Sequence, residues 1–130
     1  MKALTIRQPW ATLIMLGVKR YEFRSWKTNF RGEVLIHAGQ GIDKEAVERL
    51  KKYLPNAELP LGKILGKVNI TDCIPMSEEF ASMLSKENND IYTTHSFSRN
   101  YGFKLEDVEV FDTPIDAKGQ LGFWNFEENK

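Results

Sequence analysis

The sequence predicts an α+β domain in which a few helices pack on a small curved or closed β-sheet. Three features carry this prediction: short runs of β-forming residues, stretches with helical spacing of apolar residues, and glycines inside the longest strand candidate. These runs are spread over 130 residues without an internal repeat or a low-complexity tract. A chain of this length forms one core, so residues 1–130 are expected to be a single domain.

The first elements are a strand and a short helix. Residues 3–6 alternate β-formers and predict a strand, and Pro9 suits the first turn of a helix that follows. Apolar side chains recur at helical spacing after Trp10. Gly17 then stands where a helix ends in a left-handed cap, so the helix is predicted over residues 9–16.

The middle of the chain predicts two more strands, a helix and a long bent strand. Residues 21–26 alternate aromatic and charged side chains, and residues 33–39 form an apolar run that suits a buried strand. Asp43 is a good helix N-cap, and the apolar stripe after it predicts a packing helix through Leu54. The glycines of the strand predicted at residues 62–73 suggest the sharp bends of a small barrel.

The last part of the chain predicts a helix, a loop and three strands. A short helix is predicted over residues 77–84. Residues 85–100 are polar and predict a loop, which either covers a cleft or is variable surface. Strands are predicted at residues 101–105 and 108–111, and a turn into a closing strand at residues 113–126.

The composition argues against several classes of protein. No apolar run approaches the roughly 18 residues of a membrane span, and the N-terminus lacks the apolar stretch of a signal peptide, so a cytoplasmic location without membrane contact is expected. The single cysteine, Cys73, allows no internal disulfide. His37 and His95 lie far apart in sequence and make a poor metal set, so no metal and no cofactor are expected. His37 is expected to be a hydrogen-bonded structural residue.

Charge is sorted along the chain although the net formal charge is zero. Residues 1–37 hold seven lysines and arginines against two glutamates, a balance of +5, so the remainder carries −5. Cations gathered on one face would hold a phosphate or a short nucleic-acid strand, whereas the neutral total argues against long, sequence-blind duplex binding. The alternative is that these charges scatter over the surface and cancel.

The densest mixture of charge and aromatic rings lies in residues 17–26. In a regular strand Lys19 would lie on the face opposite Glu22. The two side chains meet only if the backbone turns or bulges just after Gly17, which a glycine permits. An ordinary edge strand with a solvated charged face is the other interpretation.

Five sequence blocks together resemble a known family. They include the pattern Gly-x-Lys-x-x-Glu-x-Arg and lie at residues 4–11, 17–24, 31–39, 62–73 and 114–124. In this order the blocks resemble the ASCH domain, a branch of the PUA-like superfamily, and the resemblance spans about residues 3–126. The Gly-x-Lys pattern alone is weak, but five blocks in the right order are specific.

The resemblance implies a PUA-like small β-barrel with helices packed outside and a cleft beside the first helix. It also implies an RNA-binding or nucleic-acid-binding module, often linked to translation or RNA processing. Aromatic rings stack bases, and lysine and arginine bind phosphate or base edges. The expected ligand is therefore RNA, a nucleotide or a modified nucleoside. The expected binding residues are Trp10, Lys19, Glu22, Arg24, Trp26 and Arg31.

An enzyme is the alternative. Some small bacterial ASCH proteins that this chain resembles are amidohydrolases that deacylate N4-acetylcytidine with a lysine, a threonine three residues later and a distant glutamate. Lys19 matches the lysine, but Glu22 replaces the threonine, so the hydroxyl nucleophile is absent. Lys19 and Glu22 would be the catalytic residues of an enzyme, although Glu22 would tend to raise the pKa of Lys19. Ribonuclease activity would need His37 and His95 brought together by the fold.

A third possibility is a protein-interaction module that uses residues 85–100 and the acidic remainder of the chain. The geometry of the N-terminal cations distinguishes these possibilities. Cations that converge on Glu22 beside Trp10 favour ligand binding, whereas cations that radiate outward favour protein interaction. Trp124, in the closing strand, is expected to be a core residue.

Overall fold

Six strands and three α-helices alternate along the described parts of the chain, residues 1–92 and 101–127 of a computed structural model. In chain order they are β1 (Lys2–Gln8), α1 (Trp10–Met15), β2 (Tyr21–Arg24), β3 (Gly32–Ile42), α2 (Lys44–Arg49), β4 (Lys63–Pro75), α3 (Glu78–Glu87), β5 (Tyr101–Asp116) and β6 (Phe123–Asn125), with a 3-10 turn at Lys51–Tyr53 after α2. This mixture confirms the predicted α+β class.

The strands form one sheet in the order β2-β5-β4-β3-β1-β6. The pair β1 and β3 is parallel, and the other neighbours are antiparallel. Within the described residues β2 and β6 are the sheet edges, so the sheet is not closed and the predicted barrel is wrong. Side chains join the two ends of the sheet instead. Arg24 of β2 donates to the carbonyl of Thr5 in β1 at 2.9 Å. The ring of Trp26, just after β2, lies 5.3 Å from that of Phe123 in β6.

β2 is a short edge strand that directs the side chain of Glu22. β2 contains four residues and pairs only with the first part of β5. Its aromatic residues Tyr21 and Phe23 pack into a cluster with the helices, where the Tyr21 ring lies 5.2 Å from Phe80. Because side chains alternate along a strand, this packing turns Glu22 toward the opposite face. The core thereby fixes the direction of the charged side chain.

The predicted helices are present with shifted ends. α1 is shorter than residues 9–16, and Gly17 follows its C-cap with φ of 76°, the left-handed conformation that glycine adopts without strain. Asp43 caps α2 by accepting a hydrogen bond from the Ala46 amide at 3.1 Å. The helix predicted through Leu54 ends earlier, at Arg49, and Lys51–Tyr53 form a 3-10 turn instead.

The polar segment at residues 85–100 is more ordered at its start than predicted. α3 continues into it as far as Glu87, and beyond the helix Ile91 and Tyr92 are fully buried. These two apolar side chains pack into the same cluster as β2, a contact across the chain that the polar composition conceals. The rest of the segment, residues 93–100, lies outside the described residues.

The two strands predicted at residues 101–105 and 108–111 are one strand, β5. Asp107 has φ of 54° and marks a place where the register against β4 shifts. Aspartate tolerates this left-handed conformation better than most residues, so the polar break forms a bulge rather than a turn. β5 therefore continues past the bulge as one long strand.

Candidate functional site

A tight turn after α1 carries Lys19 toward β2. The amides of Val18 and Lys19 both donate to the Leu13 carbonyl at 3.1 Å, and Gly17 supplies the positive φ that the turn requires. This is the irregularity without which Lys19 would lie on the face away from Glu22. The contact between Lys19 and Glu22 requires this turn, and the structure contains it.

Lys19, Glu22 and Arg24 form a buried cluster that we call the ionic network. Lys19 Nζ lies 3.0 Å from Glu22 Oε1 and also donates to the Tyr21 carbonyl. Arg24 donates through Nε at 3.2 Å and through Nη2 at 3.0 Å to Glu22 Oε2. The same Nη2 reaches the Thr5 carbonyl of β1 at 2.9 Å. One carboxylate thus holds two cations, each on its own oxygen.

Burial controls the proton affinity of the ionic network. Burial lowers the pKa of Lys19 below its ordinary value of 10.5, against the opposing effect of Glu22, and the Arg24 cation adds to the lowering. Burial acts to raise the pKa of Glu22, but the two cations outweigh it and leave that pKa below its ordinary range. Glu22 does act on Lys19 in the direction predicted, but burial is the larger effect.

Arg24 is the most exposed side chain of the ionic network, and the half-buried Trp10 lies beside Lys19. We call this the open side of the ionic network. The Lys19 side chain is only 4% exposed, whereas 19% of the Arg24 side chain is exposed. Lys19 Nζ lies 4.8 Å from the centre of the Phe23 ring and 5.8 Å from that of Trp10, which is half-buried. A ligand would therefore meet the guanidinium and the indole first.

Two of the predicted binding residues lie elsewhere. Trp26 is partly buried and packs edge-on against Phe103 and Phe123, so its ring contacts the core rather than the ionic network. Arg31 is exposed, lies 3.8 Å from Asp72 and donates to backbone carbonyls nearby. The structure therefore brings together four of the six predicted residues, Trp10 and the ionic network.

The remaining N-terminal cations do not converge on Glu22. Arg20 pairs with Glu87 at 3.1 Å on the surface, and Arg7 donates to the Ile42 carbonyl. Lys2 lies over the Phe30 ring at 5.3 Å. The geometry is mixed: two cations gather in the network, and the others are distributed over the surface.

A second buried cluster, which we call the hydroxyl network, links Thr5, His37 and Trp124. Trp124 Nε1 donates to Thr5 Oγ1 at 3.0 Å, and Thr5 Oγ1 lies 3.1 Å from His37 Nδ1. His37 Nε2 lies 2.7 Å from the Ala117 carbonyl, so it carries the proton and the Thr5 hydroxyl donates to Nδ1. The structural interpretation of His37 and the core position of Trp124 are confirmed.

Thr5 was missed by the sequence reasoning although both networks use it. Its contact with His37 follows from the parallel pairing of β1 and β3, which sets Thr5 opposite His37. Gly119 covers this pair so closely that a Cβ there would lie 2.6 Å from Thr5 Oγ1. The sequence signal for this contact is Gly119, and a glycine does not indicate which residues it packs against.

The described residues contain neither a metal-binding cluster nor a membrane-spanning helix. Within residues 1–92 and 101–127, no group of three or more histidine, cysteine, aspartate or glutamate side chains is placed to hold a metal. None of the helices in those ranges combines the length and apolarity needed to cross a bilayer. His95, named above with His37, lies outside the described residues.

The open mixed sheet, the short first helix and the ionic network that follows it define a small α+β domain. Residues 4–112 match the ASCH domain family. Because this match covers most of the chain, the protein belongs to the ASCH domain family.

Two relatives and a solved structure are similar to parts of this chain. Activating signal cointegrator 1 of Homo sapiens and of Mus musculus are each 35% identical over 86 residues, which covers 58% of this chain and 15% of the relative. The match thus spans only a small part of these longer proteins. The crystal structure of ASCH from Zymomonas mobilis matches with a TM-score of 0.59 at 13% identity, over 88% of this chain and 72% of that one. At this identity the likeness shows the fold alone.

Proposed function

We propose that this protein binds single-stranded RNA, or a nucleotide-sized piece of it, at the open side of the ionic network. The observation that carries the proposal is the imbalance of charge: one carboxylate faces two cations in a largely buried site. A buried charge without a counter-charge is costly. A ligand phosphate beside Arg24 would supply that counter-charge.

The aromatic ring beside the network supports a nucleotide over a simple anion. Trp10 is half-buried and lies 5.8 Å from Lys19 Nζ, so its ring is held in place beside the cations. Stacking of a base on an aromatic ring contributes about 1–3 kcal/mol. Together the two features provide a partner for a base and a partner for its phosphate.

The sorted charge of the chain supports a short ligand. The net charge is zero, and the excess of cations belongs to residues 1–37. Long duplexes are bound through many phosphate contacts on a strongly basic face. A single-stranded segment of a few nucleotides needs fewer cations, such as the two that gather in the ionic network.

The decisive experiment compares Lys19→Met with the wild type. Methionine removes the charge of Lys19 but leaves Glu22 balanced by Arg24, so the variant should stay folded. We expect affinity for a fluorescent single-stranded RNA of about eight nucleotides to fall about tenfold, with a smaller salt dependence. Lys44→Met, which removes an exposed lysine at the start of α2, is the matched control.

The outcomes separate the proposal from its alternatives. A folded Lys19→Met protein with wild-type affinity would exclude the ionic network as the binding site. Equal loss in both variants would indicate general charge attraction. Cytidine, cytidine monophosphate and N4-acetylcytidine, tested by thermal shift, then show whether the phosphate or the base contributes more.

A hydrolase is the second candidate, and the lowered pKa of Lys19 favours it. A lysine that loses its proton more readily can act as a base or nucleophile. Incubation with N4-acetylcytidine, followed by mass spectrometry, tests this directly. Release of cytidine that is lost in Lys19→Met would make the protein an enzyme in which Glu22 stands where related enzymes have threonine. Binding without release leaves the RNA-binding proposal in place.

A further inference from the structure

The outer edge of β5 is unpaired over most of its length. β2 pairs with β5 only from Tyr101 to Lys104, and the Leu105 amide donates to the Arg20 carbonyl. Beyond that point β4 runs along one side of β5, and no described strand pairs with the other side. Among the described residues, none pairs with this side of residues 106–116, which present free backbone hydrogen-bonding groups except at Pro114, which has no N–H. We call this segment the acidic edge.

The acidic edge carries five carboxylates and no lysine or arginine. The carboxylates are Glu106, Asp107, Glu109, Asp112 and Asp116. Asp116 pairs with Lys63, and Asp107 accepts a hydrogen bond from Asn69 at 3.3 Å. Among the described residues, no ion pair involves the other three carboxylates. The edge thus has a local excess of negative charge.

Apolar side chains and a concavity lie along the same segment. Val108 is 39% exposed and Val110 is 57% exposed, between the carboxylates. The register against β4 shifts between Val110 and Ile115, and the bowed strand borders a surface concavity of about 370 Å³. An extended peptide bound here would meet backbone groups, two valines and an open surface concavity.

We propose that the acidic edge binds an extended, lysine-rich or arginine-rich segment of a partner protein by strand addition. Main-chain hydrogen bonds to the free edge would supply affinity, and the carboxylates would select basic side chains. A second copy of this chain is a poor occupant, because like charges opposite each other destabilise a strand pair. The acidic edge is separate from the RNA site, because it lies on the half of β5 that does not pair with β2.

The test uses a blocked seven-residue peptide that alternates lysine with valine, and a matched peptide with glutamate in place of lysine. We expect the lysine peptide to bind the intact protein and the glutamate peptide not to bind. Hydrogen exchange followed by NMR should show slower exchange of the amides at residues 106–112 when the lysine peptide is present. That protection distinguishes strand addition from loose charge attraction.

Charge reversal at the edge provides the matched comparison. Glu109→Lys should weaken binding of the lysine peptide about tenfold, whereas Glu48→Lys, on the exposed side of α2, should leave it unchanged. Asp112→Lys repeats the test at a second edge position. Equal weakening by Glu48→Lys, binding without amide protection, or peptide-independent dimers in sedimentation would each overturn the proposal. RNA binding is measured on the same variants and should not change.

Discussion

The ionic network and the hydroxyl network meet at Thr5 and differ in charge balance. Arg24 reaches the Thr5 carbonyl at 2.9 Å, and Trp124 and His37 bond the Thr5 hydroxyl at 3.0 Å and 3.1 Å. In the hydroxyl network each ring nitrogen has a partner and no charge is present. In the ionic network two cations share one carboxylate.

This difference separates a structural cluster from a candidate site. A neutral network whose donors and acceptors are all paired gains nothing from a ligand, so it serves to join β1, β3 and β6. A charged network that stays unbalanced after all its internal bonds are made gains from an anion. Burial and polarity are common to both clusters, and only the unbalanced charge tells them apart.

Removing the carboxylate should produce the largest effect. Glu22→Gln leaves Lys19 and Arg24 close together without a counter-charge, and breaking a buried pair in this way costs about 3–5 kcal/mol of unfolding free energy. Urea denaturation measures the loss. Glu33→Gln is the control, because Glu33 pairs with Lys67 on the surface at 2.8 Å and such pairs contribute under about 1 kcal/mol. Equal losses would mean that Glu22 does not organise the network.

Removing the hydroxyl should have a smaller effect. Thr5→Val keeps the shape of the side chain but leaves Trp124 Nε1 and His37 Nδ1 without a partner, at a cost of about 1–3 kcal/mol. Thr71→Val, at an exposed position of β4, is the control and should be close to neutral. A Thr5→Val protein as stable as the control would show that the hydroxyl network contributes no stability.

Removing the excess cation should change stability least. Lys19→Met leaves a balanced pair of Glu22 and Arg24 and replaces a desolvated ammonium with an apolar side chain, so the unfolding free energy should change by less than about 1 kcal/mol. Thermal unfolding checks this. A loss as large as that of Glu22→Gln would mean that the network needs both cations, contrary to the charge argument.

The pH dependence of stability sharpens the comparison further. Because the pKa of Lys19 is lowered in the folded state, the folded protein holds fewer protons than the unfolded chain as pH approaches 10.5, and stability should rise with pH there. Urea denaturation at about pH 7 and about pH 9.5 should show this rise. Lys19→Met should lack it, while Lys44→Met should keep it. A rise that persists without Lys19 has another source.

At acid pH, Glu22 should also make the stability of the protein rise with pH. Glu22 has a lowered pKa, so its contribution is present above the ordinary glutamate pKa and is lost as pH falls through the lowered value. The wild type should therefore lose stability in acid more steeply than Glu22→Gln. Parallel acid titrations followed by circular dichroism compare the two proteins.

Local sequence signals predicted much of the fold and most of the candidate site. The alternation of Tyr21, Glu22 and Phe23 determined which face each side chain takes, and Gly17 marked the turn that brings Lys19 back. Each of these depends on neighbours within a few residues. Such local signals are visible in one sequence without knowledge of the fold.

Long-range contacts could not be predicted in the same way. Thr5 meets His37 only because β1 and β3 pair in parallel, and Trp26 packs against the core where Phe123 approaches from the end of the chain. The closed barrel was wrong for a related reason: glycines show where a strand bends, but not whether its sheet edges meet. Pairing of distant strands depends on packing that no single segment encodes.

The side-chain contacts between the two sheet edges have a consequence for motion. The described residues form no ladder of backbone hydrogen bonds across this gap, which is joined by the side chains of Arg24 and Trp26, so it should open at a lower free energy than the rest of the sheet. The guanidinium that bridges this gap is also the exposed end of the ionic network. We therefore expect the opening of the gap and the widening of the binding site to be one motion. A bound ligand should then hold the gap at one width.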